Sequence, residues 1–267
     1  MLSSIDEKTI TDFGDQWTHF TENSGYYGSV DCLQDIFGTL FSCEAIKGMS
    51  TAEIGSGSGR IVNMLLDAGA AHVIAIEPSA AFSVLGDNTA NRSTQVTLVN
   101  KPGSAISTFT DLDLIVSIGV LHHIVDPSDC VQGAYEALRH GGKFVAWVYG
   151  FEGNELYLAL AQPVRWLSKR LPHSLLSGFC SLLCLPLALY VWLCKFVRLP
   201  MCDYMLNHIA KLDHRQRHLT IYDQLNPAYA KYYKKAEAFA LLERSGFKNI
   251  VQYHRHGYSW TVVGEKA

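Results

Sequence analysis

The sequence predicts an open α/β fold, strands alternating with helices, and three stretches carry that prediction. Gly48 to Ala52 reads as a short buried strand, Gly55, Gly57 and Gly59 stand at alternate positions of a turn, and Ile61, Val62, Leu65 and Leu66 then recur at helical spacing up to Gly69. A second apolar strand, His72-Val73-Ile74-Ala75-Ile76, ends on Glu77-Pro78-Ser79. A further strand, Asp113 to Ile118, opens into Gly119 and the run Val120-Leu121-His122-His123. Ligands of open α/β sheets sit outside the carboxyl ends of the strands, which is where these three loops belong.

Alternate glycines let the main chain turn sharply, and the helix that follows directs free N–H groups to the same spot. A dinucleotide fingerprint needs G-x-G-x-x-G; counted from Gly55 or Gly57, its third glycine falls on Arg60 or Val62. What stands here is Glu53-x-Gly55-x-Gly57-x-Gly59. This pattern resembles the first motif of the class I S-adenosylmethionine-dependent methyltransferases, an acidic residue followed by alternating glycines. The chemistry agrees: that cofactor has no pyrophosphate and carries an ammonium and a sulfonium, which an acidic group opposes. A tight strand-to-helix turn without ligand is the plainer reading. Against it stands Glu77, about 20 residues past the glycines at a strand end, where a carboxylate accepts from both hydroxyls of a ribose.

The resemblance covers about Met49 to Tyr149 and, less closely, the tail. It implies a Rossmann-like α/β fold: a seven-stranded, mostly parallel sheet with the last strand antiparallel. Its cofactor is S-adenosylmethionine, held by Glu53, Gly55, Ser56, Gly57, Gly59, Glu77 and Pro78, with Ser117 and Gly119 at the end of the fourth strand. After a third strand, Gln95 to Val99, the turn Asn100 to Ser104 lacks the acidic residue that relatives place near the adenine; Asn100, Gly103 and Ser104 are the candidates there. Val120-Leu121-His122-His123 with Asp126-Pro127 resembles the small-molecule branch, such as the quinone methyltransferases. It lacks the Asn/Asp-Pro-Pro-aromatic tetrapeptide with which nucleic-acid and protein amide methylating relatives hold a planar amine.

His122 and His123 are candidate catalytic residues, since a neutral imidazole beside the methyl donor takes the proton of an acceptor hydroxyl. Anchoring the loop to the main chain is the structural alternative. No carboxylate stands at a convincing spacing for a metal, and none is expected. Asp223 is the second candidate base. Tyr26, Tyr27, Tyr149, Tyr222 and Tyr229 are candidate substrate walls, with core or edge packing the alternative for each.

The bounds agree with an enzyme of small molecules. Net charge is -3 over 267 residues, so no basic field argues for nucleic acid. Seven cysteines, with no C-x-x-C pair, read as reduced and mostly buried thiols of a cytoplasmic protein. The first eight residues hold no apolar run of the kind a secretion signal needs.

Four regions are expected. Residues 1–48 form a helical arm or lid, with Phe13, Trp17 and Phe20 on one face packing on the core and a second helix from Val30 to Phe41. Residues 49–150 form the cofactor core, with a helix from Ser79 to Arg92, another from Ser128 through Leu138, a glycine turn at Gly141-Gly142 and a fifth strand from Lys143 to Tyr149. Residues 151–217 form an apolar helical cap. Residues 218–267 complete the sheet, with Tyr222 to Tyr229 as a loop, a helix from Ala236 to Ser245 and two closing strands.

The cap is the unusual part. Between Arg170 and Lys195 there is no Asp, Glu, Lys or Arg. One membrane crossing would leave the two ends of this insertion on opposite sides while both must rejoin one sheet, and Pro186 divides the run into halves too short for two spans. It is expected to close over an apolar substrate, or to lie as a hairpin at the inner face of a membrane through residues 171–199 with Arg165, Lys169, Arg170, Lys195 and Arg198 at the headgroups. A homodimer interface is the third reading. Together these predict methyl transfer, most simply to an oxygen of a small, partly apolar acceptor. The rivals are a dinucleotide-dependent oxidoreductase and a non-catalytic partner protein on the same scaffold.

Overall fold

The computed structural model describes residues 3–168 and 171–267, so Lys169 and Arg170 lie outside the described residues. Seven strands make one sheet: β1 (Ser50–Ile54), β2 (His72–Ile76), β3 (Val96–Val99), β4 (Leu112–Ile118), β5 (Leu138–Tyr149), β6 (Lys248–Arg255) and β7 (Ser259–Glu265), in the order β3-β2-β1-β4-β5-β7-β6. Neighbours from β3 to β5 pair parallel, and β7 runs antiparallel to both β5 and β6. The expected sheet is the observed one. β1, β2 and β4 are buried almost end to end, as parallel strands covered on both faces must be.

Helices α1 (Ser4–His19), α2 (Val30–Phe37), α3 (Arg60–Asp67), α4 (Phe82–Thr89), α5 (Ser128–Ala137) and α10 (Lys235–Glu243) belong to this core. One face packs Leu33, Ile36, Phe37, Val62 and Leu65 against the sheet; the other packs Ile106, Val131, Ala134, Leu242 and Phe247. The seven cysteines are unpaired, and six are buried.

Several boundaries differ from expectation. α2 stops at Phe37 because Gly38 turns left-handed, with φ 59°. β5 starts at Leu138, so Gly141 and Gly142 lie inside a bulged strand: its pairing jumps from Leu112–Leu138 to Leu114–Lys143. The end of the expected cap region holds two helices: α8 (Cys202–Asn207) and α9 (His214–Leu225). Asp213 and Gln216 form a capping box that starts α9 afresh. α9 then runs through Tyr222-Asp223-Gln224-Leu225, which is therefore helix and not loop, and ends where Asn226 precedes Pro227. The domain boundary expected at 217 falls inside this helix.

The cap consists of α6 (Glu155–Ser168), α7 (His173–Leu193), α8 and α9. Pro186 does not divide α7, which is continuous over 21 residues. It stands on the exposed face, so the Leu182 carbonyl it leaves without a partner is not sealed in the core. The inner face of α7, Leu176, Cys180 and Cys184, is buried, with Leu176 and Cys180 against Tyr222 and Leu225 of α9. Ser177 and His173 bond His218 and Tyr222 of the same partner. The outer face is as apolar: Leu182, Leu185, Leu189 and Trp192 are between 53% and 70% exposed. Among the described residues α7 is the one helix long and apolar enough to cross a membrane by length and composition.

α1 roofs the sheet's carboxyl edge. Ser3 and Asp6 cap it reciprocally, and the Asp6 carboxylate also accepts from the Val125 amide. Asp12 accepts from the Ala228 amide, and Gly14 allows the helix onto the turn after β2, since a Cβ there would stand 3.1 Å from the Ala80 nitrogen. Gly14→Val is expected to lift α1 from that turn, speeding amide exchange in residues 4–19 while the sheet's protection stays unchanged. Hydrogen exchange by mass spectrometry reads this directly.

Candidate active site

Beneath α1 lies a cavity of about 680 Å³, bounded by the ends of β1, β2, β4 and β5 and by the cap. The turn after β1 sets its floor. Gly55, Gly57 and Gly59 all hold positive φ, at 78°, 51° and 82°. Their missing side chains make room for protein on the outside of the turn: a Cβ on Gly55 would run into Val120, and one on Gly57 would stand 3.1 Å from the Trp17 indole. The glycines thus serve the bend and the close seating of α1, leaving the inner side open.

Two carboxylates face that opening. Glu53, at 1% exposure, leaves Oε2 buried with no hydrogen-bond partner. Burial pushes its carboxyl up to about 8, against the pull of the Arg60 charge and the Ser56 hydroxyl, and the nearby Glu77 adds to the rise. A buried acceptor oxygen without a donor is a place made for a cation or an N–H group. Glu77 is anchored at both oxygens: the Gly57 amide donates to Oε2 at 2.7 Å and the Ser79 amide to Oε1 at 2.9 Å. Each oxygen keeps a further lone pair for a diol.

Ser56, Pro78, Gly103, Ser104 and Gly119 also line the cavity. Asn100 and Ser117 do not. Asn100 donates to the Glu77 carbonyl at 2.8 Å, bracing the strand end from behind, because the turn directs its side chain back along β2. Ser117 is fully buried in the sheet, its hydroxyl 3.4 Å from the Ile54 carbonyl; side chains alternate along a strand, and this one faces away.

The two histidines part company. His123 lines the cavity, 4% exposed, its Nδ1 2.7 Å from the Tyr229 carbonyl and its Nε2 without a partner. A carbonyl only accepts, so Nδ1 carries the proton and Nε2 presents a lone pair. Burial lowers its pKa to about 4, despite the Asp223 charge and the Tyr229 bond, so the ring is neutral at pH 7. His122 lies behind it, outside the cavity, with its ring 3.8 Å from that of Tyr149 and both nitrogens unpartnered. The tight turn after β4 sends adjacent side chains to opposite sides, and only one reaches the opening.

Tyr149 and Asp223 meet across the cavity wall. The Tyr149 hydroxyl donates to Asp223 Oδ2 at 2.7 Å and accepts from Gln224 Nε2 at 2.8 Å, while Gln16 of α1 donates to Asp223 Oδ1 at 2.9 Å. Tyr27 also lines the cavity, its ring 4.2 Å beneath the Arg60 guanidinium. Tyr26, Tyr222 and Tyr229 are not cavity walls. Tyr26 packs with Val191, Ile209 and Leu212, and Tyr222 fills the α7–α9 contact. Tyr229 contributes its carbonyl to His123 rather than its ring. For Tyr222 the reason is the helix: Tyr222 and Asp223 point about 100° apart on α9, so only one faces inward.

Sequence reasoning missed Trp17, Phe13, Arg60 and Arg255, all of which line the cavity. Phe13 and Trp17 carry the i, i+4 spacing of any packed helix, and Arg60 is hidden inside the glycine motif. Arg255 shows no local signal: at 2% exposure it donates to Asp35 Oδ2 and to the Tyr258 hydroxyl, closing the cap end of the wall. Among the described residues no group of three His, Cys, Asp or Glu side chains converges as metal ligands would.

Comparison with known proteins decides the class. A methyltransferase domain model matches residues 52–146, from β1 to β5. The chain carries an S-adenosylmethionine-dependent methyltransferase domain. Two curated tRNA U34 carboxymethyltransferases resemble it: one from Pseudoalteromonas translucida, 31% identical over 42% of this chain and 35% of its own, and one from Alteromonas mediterranea, 24% identical over 43% and 37%. The chain thus spans just over a third of the length of the curated relatives it matches. The solved structure of an O-methyltransferase family protein from Burkholderia thailandensis has the same fold, with a TM-score of 0.55 at 9% identity over 89% of this chain and 55% of that one. So does a Synechocystis magnesium protoporphyrin IX methyltransferase with bound S-adenosylhomocysteine, at 0.51 and 14% over 95% and 84%.

The methyltransferase domain's cavity fits its cofactor. The partnerless Glu53 oxygen suits the ligand's ammonium, and Glu77 suits the ribose. A consequence for pH follows. A carboxyl that is half protonated near pH 8 in the free protein must ionise to hold a cation, so binding releases a proton below that pH. Affinity for S-adenosylhomocysteine is expected to rise by up to about tenfold per unit between pH 6 and 8. Calorimetry in buffers of different ionisation heat measures both effects, and Glu53→Gln should flatten the profile.

Proposed function

We propose that this methyltransferase transfers a methyl group to a hydroxyl oxygen of a small, partly apolar acceptor, with His123 as the base. One observation carries the reading: the Nε2 lone pair of a neutral, buried imidazole faces the same cavity as Glu53 and Glu77.

S-adenosylmethionine, when bound, supplies an electrophilic methyl on sulfur, so the protein's work is positioning and removing one proton. Glu53 would hold the cofactor's ammonium and Glu77 its ribose, with Arg60 beside them as the cation for its carboxylate. Phe13 and Trp17 of α1 keep water from the site. His123 Nε2 accepts the acceptor's hydroxyl proton, and the Tyr229 carbonyl steadies the imidazolium through Nδ1–H. Tyr149 and Asp223 form a polar edge against which the acceptor is oriented. A tRNA acceptor, which the names of two relatives raise, is not favoured: a net charge of -3 offers little to a polyanion.

The test begins with binding and proceeds to products. S-adenosylhomocysteine should bind the pure protein and NADH should not. Methyl-labelled cofactor is then offered with a panel of alkylated phenols, hydroxy acids, amines and bulk tRNA. Label in an ether product supports the proposal, and label only in an ester, whose carboxylate oxygen has no proton to lose at neutral pH, would overturn it. Label only in an amine or in tRNA, with cofactor bound, would overturn it.

A further inference from the structure

A second cavity, about 300 Å³, lies inside the cap. Leu160, Ala161 and Val164 of α6, Leu183 and Leu187 of α7, and Met205 of α8 line it, and its polar surface is small. It shares a wall with the active-site cavity: Tyr149, Tyr204, Thr220, Gln224 and Tyr258 border both. At its other end Leu160 is 67% and Val164 38% exposed, so it opens at the surface. The cap surface is apolar elsewhere too: on the outer face of α7, Leu182, Leu185 and Leu189 stand in the open.

That outer face continues past the helix. Trp192 and Phe196, in ring contact at 5.0 Å, are 53% and 70% exposed, and Lys195 and Arg198 follow among them. Arg198 makes only a distant pair, 3.9 Å, with Asp203, and its side chain is 88% exposed. Exposed leucines ending in a Trp and two cations match the order of layers at a bilayer surface, hydrocarbon first and then the charged headgroups. A crossing α7 would carry into the hydrocarbon the polar helix α9 that seals its other side.

We propose that the acceptor is an amphiphile taken from a bilayer on which the outer face of α7 rests: its hydroxylated head lies at His123 and Tyr149, and its hydrocarbon tail occupies the second cavity. This rests on the proposed reading of the active site and adds the class of substrate. An apolar chamber that borders the reacting site on one side and opens at the surface of an apolar cap on the other has the shape of a tail pocket. A wholly water-soluble acceptor gives no reason for either.

The probe is a series of 4-n-alkylphenols, ethyl to octyl, titrated by calorimetry into the protein saturated with S-adenosylhomocysteine and into free protein. Affinity should tighten by about threefold to fourfold per added methylene until the chamber is full. Leu187→Trp and Met205→Trp, made separately, fill the chamber from different helices and should flatten that slope while leaving S-adenosylhomocysteine affinity unchanged. A flat slope in the wild type, or a slope that survives both substitutions, would overturn the tail pocket. Failure of S-adenosylhomocysteine to bind strikes the active-site reading instead, and the series on free protein still tests the chamber. For the surface, wild-type protein should float with 3:1 phosphatidylcholine–phosphatidylglycerol vesicles and Leu185→Asp should not. Absence of flotation, or a dimer in ultracentrifugation that Leu185→Asp abolishes, would show that this face meets something other than lipid.

Discussion

Glu77→Ala is expected to weaken S-adenosylhomocysteine binding by at least about a hundredfold. The carboxylate has two tasks, and alanine ends both. It accepts the Gly57 and Ser79 amides, holding the glycine turn to the end of β2. Hydrogen bonds to a charged acceptor are each worth roughly 1.5–3 kcal/mol, so two of them matter on this scale. It also offers the remaining lone pairs to the ribose. Glu77→Gln separates the tasks: one amide keeps an oxygen acceptor while the other faces an NH2, so its loss should fall between wild type and alanine. Calorimetry with both variants decides it. Binding by Glu77→Ala within threefold of wild type would remove the ribose from this site.

His123→Asn is expected to lower kcat by about 10²–10⁴-fold, the usual contribution of a positioned base, while S-adenosylhomocysteine affinity stays within threefold. The contrast is with its neighbour. His122→Phe should leave kcat unchanged and stability equal or higher, because both nitrogens of His122 are buried without partners and phenylalanine removes that burden. The sign of the pH dependence follows from the lowered pKa of His123. The base is active when unprotonated, so kcat, measured with the cofactor saturating at every pH, should rise through about pH 4 and be level at neutrality. Stability has the same direction: between about 4 and 6.5 the unfolded chain binds the proton and the folded one does not, so stability is lost as pH falls through that window. Equal turnover by the two variants would exclude His123 as the base.

Much of the site was legible because it is local. Glu53, the three glycines and Glu77 sit at ends of strands whose apolar runs are plain in the chain, and a turn between a buried strand and an amphipathic helix has few conformations. The same holds for the sheet, whose strands lie close to where their apolar patterns begin and end. Where expectation failed, either a local helix signal was outweighed in the reading or a contact distant in sequence decided. Tyr222 and Asp223 were read as a loop, but the Asp213–Gln216 box starts a helix that carries one inward and the other onto α7. Pro186 was read as a break, yet α7 continues because its unpaired carbonyl stays at the surface.

By itself the sequence determined the α/β class, the glycine turn and the carboxylates beside it, since each depends on neighbours within a few residues along the chain. Only the tertiary structure decided which histidine faces the cavity, that α1 roofs it, and that the apolar cap leaves one face bare and holds a chamber reaching Tyr149. Those outcomes depend on which way a side chain turns once helices and sheet have packed. Residues over 100 positions apart, such as His123 and Tyr229, meet only then.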